Sequence, residues 1–273
     1  IKSIALAADV SKPEDVQRIV DTIVARWGTV HIACNNAGIN MNSASEDTSL
    51  EEWDKTFNVN LRGLFLCCQA AGRIMLNQGY GKIINTASMA SLIVPHPQKQ
   101  LAYNTSKAGV VKLTQTLGTE WIERGVKVNC ISPGIVDTPL IRSKDLRPLV
   151  RRWLADIPAG RLAQATDLQA AVVYLASEAS DYMTGPNLVI EGGICAFEPL
   201  QQLSTVRVDL GLSARPVTVA VLCTPGPRQV LMEAAGVSVH SRSGTPAPQS
   251  PSHVTDPRQV SLRGLTRNLG TNL

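Results

Sequence analysis

Residues 1–197 alternate short apolar runs with longer helical ones, and this order constrains the fold more than any single residue does. IKSIALAADV, VHIAC, KIINTA, VKVNCI and NLVIEGG read as strands. Between them lie stretches of helical periodicity that end at Trp27, run past Leu66, extend from about Leu101 to Arg124, and reach Ala176. Strands separated by helices need crossover connections, and crossovers make neighbouring strands parallel. The pattern therefore predicts an α/β domain on a parallel sheet. Ser11-Lys12-Pro13-Glu14, Thr48-Ser49-Leu50-Glu51 and Thr166-Asp167-Leu168-Gln169 read as helix starts, and Gly125 as a helix end.

Candidate chemistry sits in LAYNTSKAGVVKLTQTL, where Tyr103 and Lys107 are four residues apart. On a helix such residues share a face, one turn apart. A phenol titrates near pH ~10 in water, too high for a base at neutral pH. A fixed cation alongside favours the phenolate, so Lys107 is expected to draw the pKa of Tyr103 down. Such a group moves a proton on or off an alcohol. Three further segments stand in order before it. CNNAG ends an apolar run with a turn, Asn36-Ala37-Gly38, that lets backbone approach a ligand. FNVNLRGLF places Asn60 inside a helical pattern, where an amide competes for backbone bonds. GKIINTASMAS puts Ser88 just past a buried strand, at the sheet edge where open parallel sheets bind ligands.

Together with Pro133-Gly134 after VKVNCI, these segments resemble the short-chain dehydrogenase/reductase family over residues 1–197. The resemblance implies a Rossmann-like, doubly wound parallel sheet and an enzyme interconverting a secondary alcohol and a ketone with NADP or NAD, NADP slightly favoured. It also implies roles. Tyr103 would be the acid/base. Lys107 would lower its pKa and hold the nicotinamide ribose. Ser88 would bond the substrate oxygen, and Asn60 would anchor a water in a proton relay. Asn36, Ala37 and Gly38 would line the adenosine side, with Asp9 and Val10 near the adenine. Ile135, Val136 and Thr138 of PGIVDTP would lie against the nicotinamide. The helices of Asn60 and Tyr103 would form the surface of a homodimer or homotetramer.

The family normally opens with a strand, a TGxxxGIG loop, a helix and a second strand. None of these occurs in residues 1–197, and no G-x-x-x-G-x-G is present anywhere. In the family sheet the two absent strands lie between the strand of IKSIALAADV and that of VHIAC. The chain thus reads as N-terminally truncated, lacking the first βαβ element. The glycine loop brings the pyrophosphate onto a helix N-terminus, so a catalytically inactive fragment is the alternative reading.

From Glu198 onward the composition changes. The tail has no Trp, Tyr, Phe or Lys, and it holds eight of the sixteen prolines. Residues 1–197 carry a net charge of +1 and residues 198–273 one of +3. We expect a partial Rossmann domain over 1–197 and a largely disordered Pro-, Ser- and Arg-containing tail over 198–273. A near-neutral domain without charge blocks excludes a nucleic-acid groove. The six cysteines form no CxxC or His-spaced pattern, so no metal site is expected. Most lie in apolar runs, as buried thiols of a reducing, cytoplasmic compartment do. No run reaches the length of a membrane span.

The substrate is bounded more loosely. PQKQ before Ala102-Tyr103-Asn104 resembles the polyol and sugar reductases of the family (sorbose, mannitol and arabinitol types). His96, Gln98 and Gln100 would bond a polyol or lie in a solvated loop. The segment from Leu140 to Trp153 would cover the substrate. Its Arg142, Lys144, Arg147, Arg151 and Arg152 would face an anion or form a solvated face. A 3-oxoacyl thioester or steroid-type ketone reductase is the runner-up.

Overall fold

The structure is a computed structural model that describes residues 3–139, 141–144, 146–196, 206–208 and 217–219. The chain divides into two units, Ile1–Gln202 and Leu203–Leu273.

The first unit is built on four strands: β1 (Ile32–Asn35), β2 (Gly81–Thr86), β3 (Val126–Pro133) and β4 (Asn187–Ile190). They lie side by side in that order, and all three pairings are parallel. In the register Ile83 stands beside Ala33 on one side and Val128 on the other. Helix α1 (Pro13–Trp27) precedes β1, and α2 (Leu50–Phe57) and α3 (Leu64–Gln78) join β1 to β2. Helix α4 (Leu101–Trp121) joins β2 to β3, and α5 (Val150–Asp156) and α6 (Ala165–Ala176) join β3 to β4.

Neighbouring side chains of a strand point to opposite faces, and β2 uses both. Ile83 belongs to a core with Val16 and Val20 of α1, Leu64, Cys68 and Met75 of α3, and Val110 of α4. Ile84 packs with Ile131 and Leu175, against Ala171 and Val172 of α6. Helices thus cover both faces, which explains why the consecutive residues Ile83 and Ile84 are both apolar and buried. The doubly wound architecture expected from the sequence is present.

Four local expectations are corrected. IKSIALAADV does not form a strand over its described part, because residues 3–9 find no ladder partner, and β1 pairs only with β2 among the described residues. Helix α1 is not capped by Ser11. Its N-cap is Lys12, with Pro13 setting the first turn, while the Ser11 hydroxyl donates to Asp9 Oδ1 at 2.7 Å. Helix α2 starts on Ser49, whose Oγ accepts the Glu52 N–H at 3.1 Å, rather than on Thr48. Helix α6 begins two residues before its expected cap, with Gln164 and Asp167 forming the capping box.

A π-helical turn, Asn58–Gly63, joins α2 to α3 and holds Asn60. Such turns insert one residue into a helix and swing the following side chains, a device frequent at functional sites. In the second unit the described strands β5 (Val206–Val208) and β6 (Val217–Val219) pair antiparallel. The rest of the expected tail, 198–205, 209–216 and 220–273, lies outside the described residues, as does Cys223.

Candidate active site

Helix α4 brings Tyr103 and Lys107 to the carboxyl end of β2. Lys107 is 3% exposed, and its Nζ donates to the carbonyl of Thr86, the last residue of β2, at 2.7 Å. The same Nζ lies 5.7 Å from the centroid of the Tyr103 ring. Ser88 follows β2 and caps a short turn, its Oγ accepting the Ala90 N–H at 3.1 Å. Burial pushes the Tyr103 phenol up, and the neighbouring Ser88 side chain acts in the opposite direction. Burial also brings the Lys107 ammonium down to about 8. The net shift of the Tyr103 phenol is therefore upward where a lowering was expected, because loss of water penalises the phenolate more than its neighbours favour it.

Asn60 is fully buried in the π-helical turn. Its Oδ1 accepts the Ile39 N–H at 2.8 Å, and its Nδ2 donates to the Ile39 carbonyl at 2.9 Å and to Ser106 Oγ at 3.2 Å. The amide thus clamps the backbone just after Asn36-Ala37-Gly38 to the helix of Tyr103. It spends its bonds on protein groups, where the sequence suggested a water anchor. Ser106, which also donates to the Tyr103 carbonyl at 2.8 Å, was not singled out from the sequence. Its position directly before Lys107 and three after Tyr103 was the available signal.

A Cβ added at Gly38 would lie 3.4 Å from Asn60 Oδ1 and 3.5 Å from Lys107 Nζ. Glycine therefore leaves a cradle between two polar groups, beside the phenol of Tyr103. The hydroxyl-bearing ribose of a nicotinamide nucleotide fits that chemistry. Val10, Asn36 and Ala37 line a mostly apolar cavity of about 310 Å³ with Val16, Leu64 and Cys67. Asp9 is not among its lining residues. Its carboxylate accepts from Ser11, which holds its pKa below the usual value. No glycine loop of G-x-x-x-G-x-G spacing occurs among the described residues. The fit therefore extends to the nicotinamide-ribose end.

The Pro133–Thr138 segment leaves the end of β3 and is stitched down. Gly134 N–H donates to the Ile190 carbonyl at 2.9 Å, and a Cβ there would meet Glu191 Cα at 2.7 Å, so only glycine allows the approach. Val136 bridges Ala163. Ile135 is buried with Met89, Leu146, Trp153 and Ile157. Thr138 offers its carbonyl to the Arg142 N–H at 3.1 Å.

The polar residues before Tyr103 separate. Gln100 is buried, accepting from Asn40 at 3.1 Å and donating to Asn104 at 2.8 Å, so its amide is already used. His96 is exposed and Gln98 half-buried. Of the basic residues in the covering segment, Arg142 forms a bidentate pair with Asp137, both contacts 2.7 Å, and Arg152 pairs with Asp156 at 3.1 Å. Lys144, Arg147 and Arg151 are exposed. No helix of the described residues is long and apolar enough to cross a membrane, and no cluster of metal-ligating side chains occurs among them.

Comparison with known proteins agrees with this arrangement. The family model described as enoyl-(acyl carrier protein) reductase matches residues 1–195. An NAD-dependent glycerol dehydrogenase of Listeria innocua is 38% identical over 192 residues, covering 70% of this chain and 75% of the relative. An NADP-dependent mannitol dehydrogenase of Hypocrea jecorina is 40% identical over 179 residues, covering 66% of each protein. The crystal structure of a short-chain type dehydrogenase/reductase from Mycobacterium marinum superposes with a TM-score of 0.69 at 40% identity, covering 71% of this chain and 76% of that one. With a parallel doubly wound sheet, a serine, tyrosine and lysine at its carboxyl edge, and relatives of this kind over most of its length, the chain belongs to the short-chain dehydrogenase/reductase family of oxidoreductases.

Proposed function

We propose that this site interconverts a secondary alcohol and a ketone, on a polyol or sugar, with Tyr103 as the acid/base. The observation that carries the proposal is the buried Lys107 ammonium 5.7 Å from the Tyr103 ring, with Ser88 beside the same phenol. A phenol held in its protonated form at neutral pH donates a proton to a developing alkoxide. Ser88, beside that phenol, would hold the same oxygen and fix its position. Lys107 keeps a positive charge nearby, which favours the phenolate left behind. Asn60 holds the Ile39 backbone and so keeps Gly38 open toward Lys107.

NAD or NADP would lie with its ribose against Tyr103 and Lys107, its nicotinamide toward Ile135, Val136 and Thr138, and its adenosine toward Asp9, Val10, Asn36, Ala37 and Gly38. Bound there, it supplies or accepts the hydride. We favour NADP slightly, on the family resemblance. A polyol is favoured over an anionic thioester because Arg142 and Arg152 are already neutralised by Asp137 and Asp156. Glycerol and mannitol dehydrogenases among the relatives support the same choice.

The protein is further proposed to work as a homodimer or homotetramer in a cytoplasmic, reducing compartment. The five described cysteines are all free thiols, consistent with that setting. The oligomer would use an apolar groove of about 790 Å³ lined by Phe57, Leu61, Phe65, Leu113 and Leu117.

The test is Tyr103→Phe, assayed on mannitol and glycerol with NADP and NAD. Turnover is expected to fall by about 10²- to 10⁴-fold while the thermal melt stays cooperative. Retained turnover would refute the role of Tyr103.

A further inference from the structure

Trp153 is the largest of the fully buried side chains, 1% exposed, on the short helix α5. An indole N–H can only donate, and when buried it ordinarily finds an acceptor. Here Nε1 is sealed from solvent with no hydrogen-bond partner among the described residues. If filling space were the whole task, phenylalanine or leucine would do it without a stranded donor.

The surroundings of the ring locate this donor. Trp153 belongs to a cluster with Met89, Ile135, Leu146 and Ile157. Met89 directly follows Ser88, whose side chain neighbours that of Tyr103. Ile135 directly follows Pro133-Gly134 at the carboxyl end of β3. The indole therefore stands in the apolar wall that adjoins Ser88 and the loop leaving β3. A neutral donor in such a wall matches a neutral oxygen. Two charged donors of the same segment are engaged elsewhere, Arg142 with Asp137 and Arg152 with Asp156, and Lys144, Arg147 and Arg151 are exposed.

We infer that Trp153 Nε1–H is a specificity-determining donor, reserved for a second hydroxyl of the substrate beside the carbon that reacts at Ser88 and Tyr103. This rests on the polyol reading above. It makes a vicinal diol a better ligand than a bare secondary alcohol, because only the diol satisfies the indole N–H. A site built around a hydroxyl rejects an analogue that lacks it, since its own polar group is left unpaired.

The experiment is a nitrogen-15 NMR titration of the whole chain, with excess NADP present, using mannitol and then 2-butanol. The four tryptophans supply four indole signals. Trp153→Phe identifies that of Trp153. Should this variant not fold, Trp27→Phe, Trp53→Phe and Trp121→Phe assign the signal by elimination. We expect the Trp153 indole proton to move downfield saturably with mannitol and to stay in place with 2-butanol. In Trp153→Phe, mannitol binding read at the Met89 methyl should weaken by about tenfold. A Met89 signal that responds to mannitol while the Trp153 indole does not, or a Trp153→Phe that binds mannitol as well as the parent, overturns the donor role and leaves the polyol reading intact. If neither signal responds to mannitol, the polyol reading fails and the assignment of Trp153 fails with it.

Discussion

Lys107 shows how burial and charge compete at one residue. Its ammonium is kept from water with the Thr86 carbonyl as its hydrogen-bond acceptor, and burial brings its pKa down from 10.5 to about 8. The unfolded chain therefore binds more protons than the folded one between those two values. Stability should rise with pH through that window and be insensitive to this group below it. Lys107→Met keeps the length of the side chain and removes the titration. We expect the melting temperature of the parent, measured against that of Lys107→Met, to climb between pH 8 and 10. A constant difference across this range would mean that the folded protein does not hold the lysine at a depressed pKa. The position of this residue beside Tyr103 was legible in the spacing alone. Its carbonyl partner was not, because Thr86 lies 21 residues away and on a strand.

At the level of the element, the segment from α2 through the π-helical turn to α3 carries the most information. Ser49 starts α2 by accepting the Glu52 N–H, and Trp53 stacks on Phe57 with ring centroids 4.4 Å apart. Eight residues are too few to hold a helix in water without a cap and tertiary packing. Ser49→Ala should cost about 1 kcal/mol, read as a lower midpoint in urea with an unchanged slope. No loss would show that packing against α4 holds this helix start without the cap. The helix starts illustrate what a local pattern leaves open. Ser11, Thr48 and Thr166 each looked like a cap, yet the caps are Lys12, Ser49 and Gln164. Several polar residues near a helix start compete for the cap position. The one that takes it is chosen by where the preceding chain enters, and for α1, whose cap makes no side-chain bond, that is set by Pro13 and the Asp9–Ser11 bond.

For the whole molecule, the proposed association would use the exposed apolar face. Phe65 is 39% exposed and lines the groove between the π-helical turn, α3 and α4. Phe65→Glu places a charge on that face, and burying it in an interface without a partner is costly. We expect sedimentation to show the parent as an oligomer and the variant as a monomer. An oligomeric variant would move the interface to another face, and a monomeric parent would remove it. The sequence by itself determined the parallel α/β architecture, the shared helix face of Tyr103 and Lys107, and the position of Ser88 past β2. Each of these is written in spacings of a few residues, where helix and strand periods are set. Only the tertiary structure decided that Lys107 faces a carbonyl, that Asn60 clamps Ile39, that Gln100 is used up by Asn40 and Asn104, and that the Trp153 indole N–H has no acceptor among the described residues. Those outcomes depend on which groups lose water together and which partners then remain in reach. Such partners lie far apart in the chain, 46 residues for Asn60 and Ser106, and no local pattern encodes them.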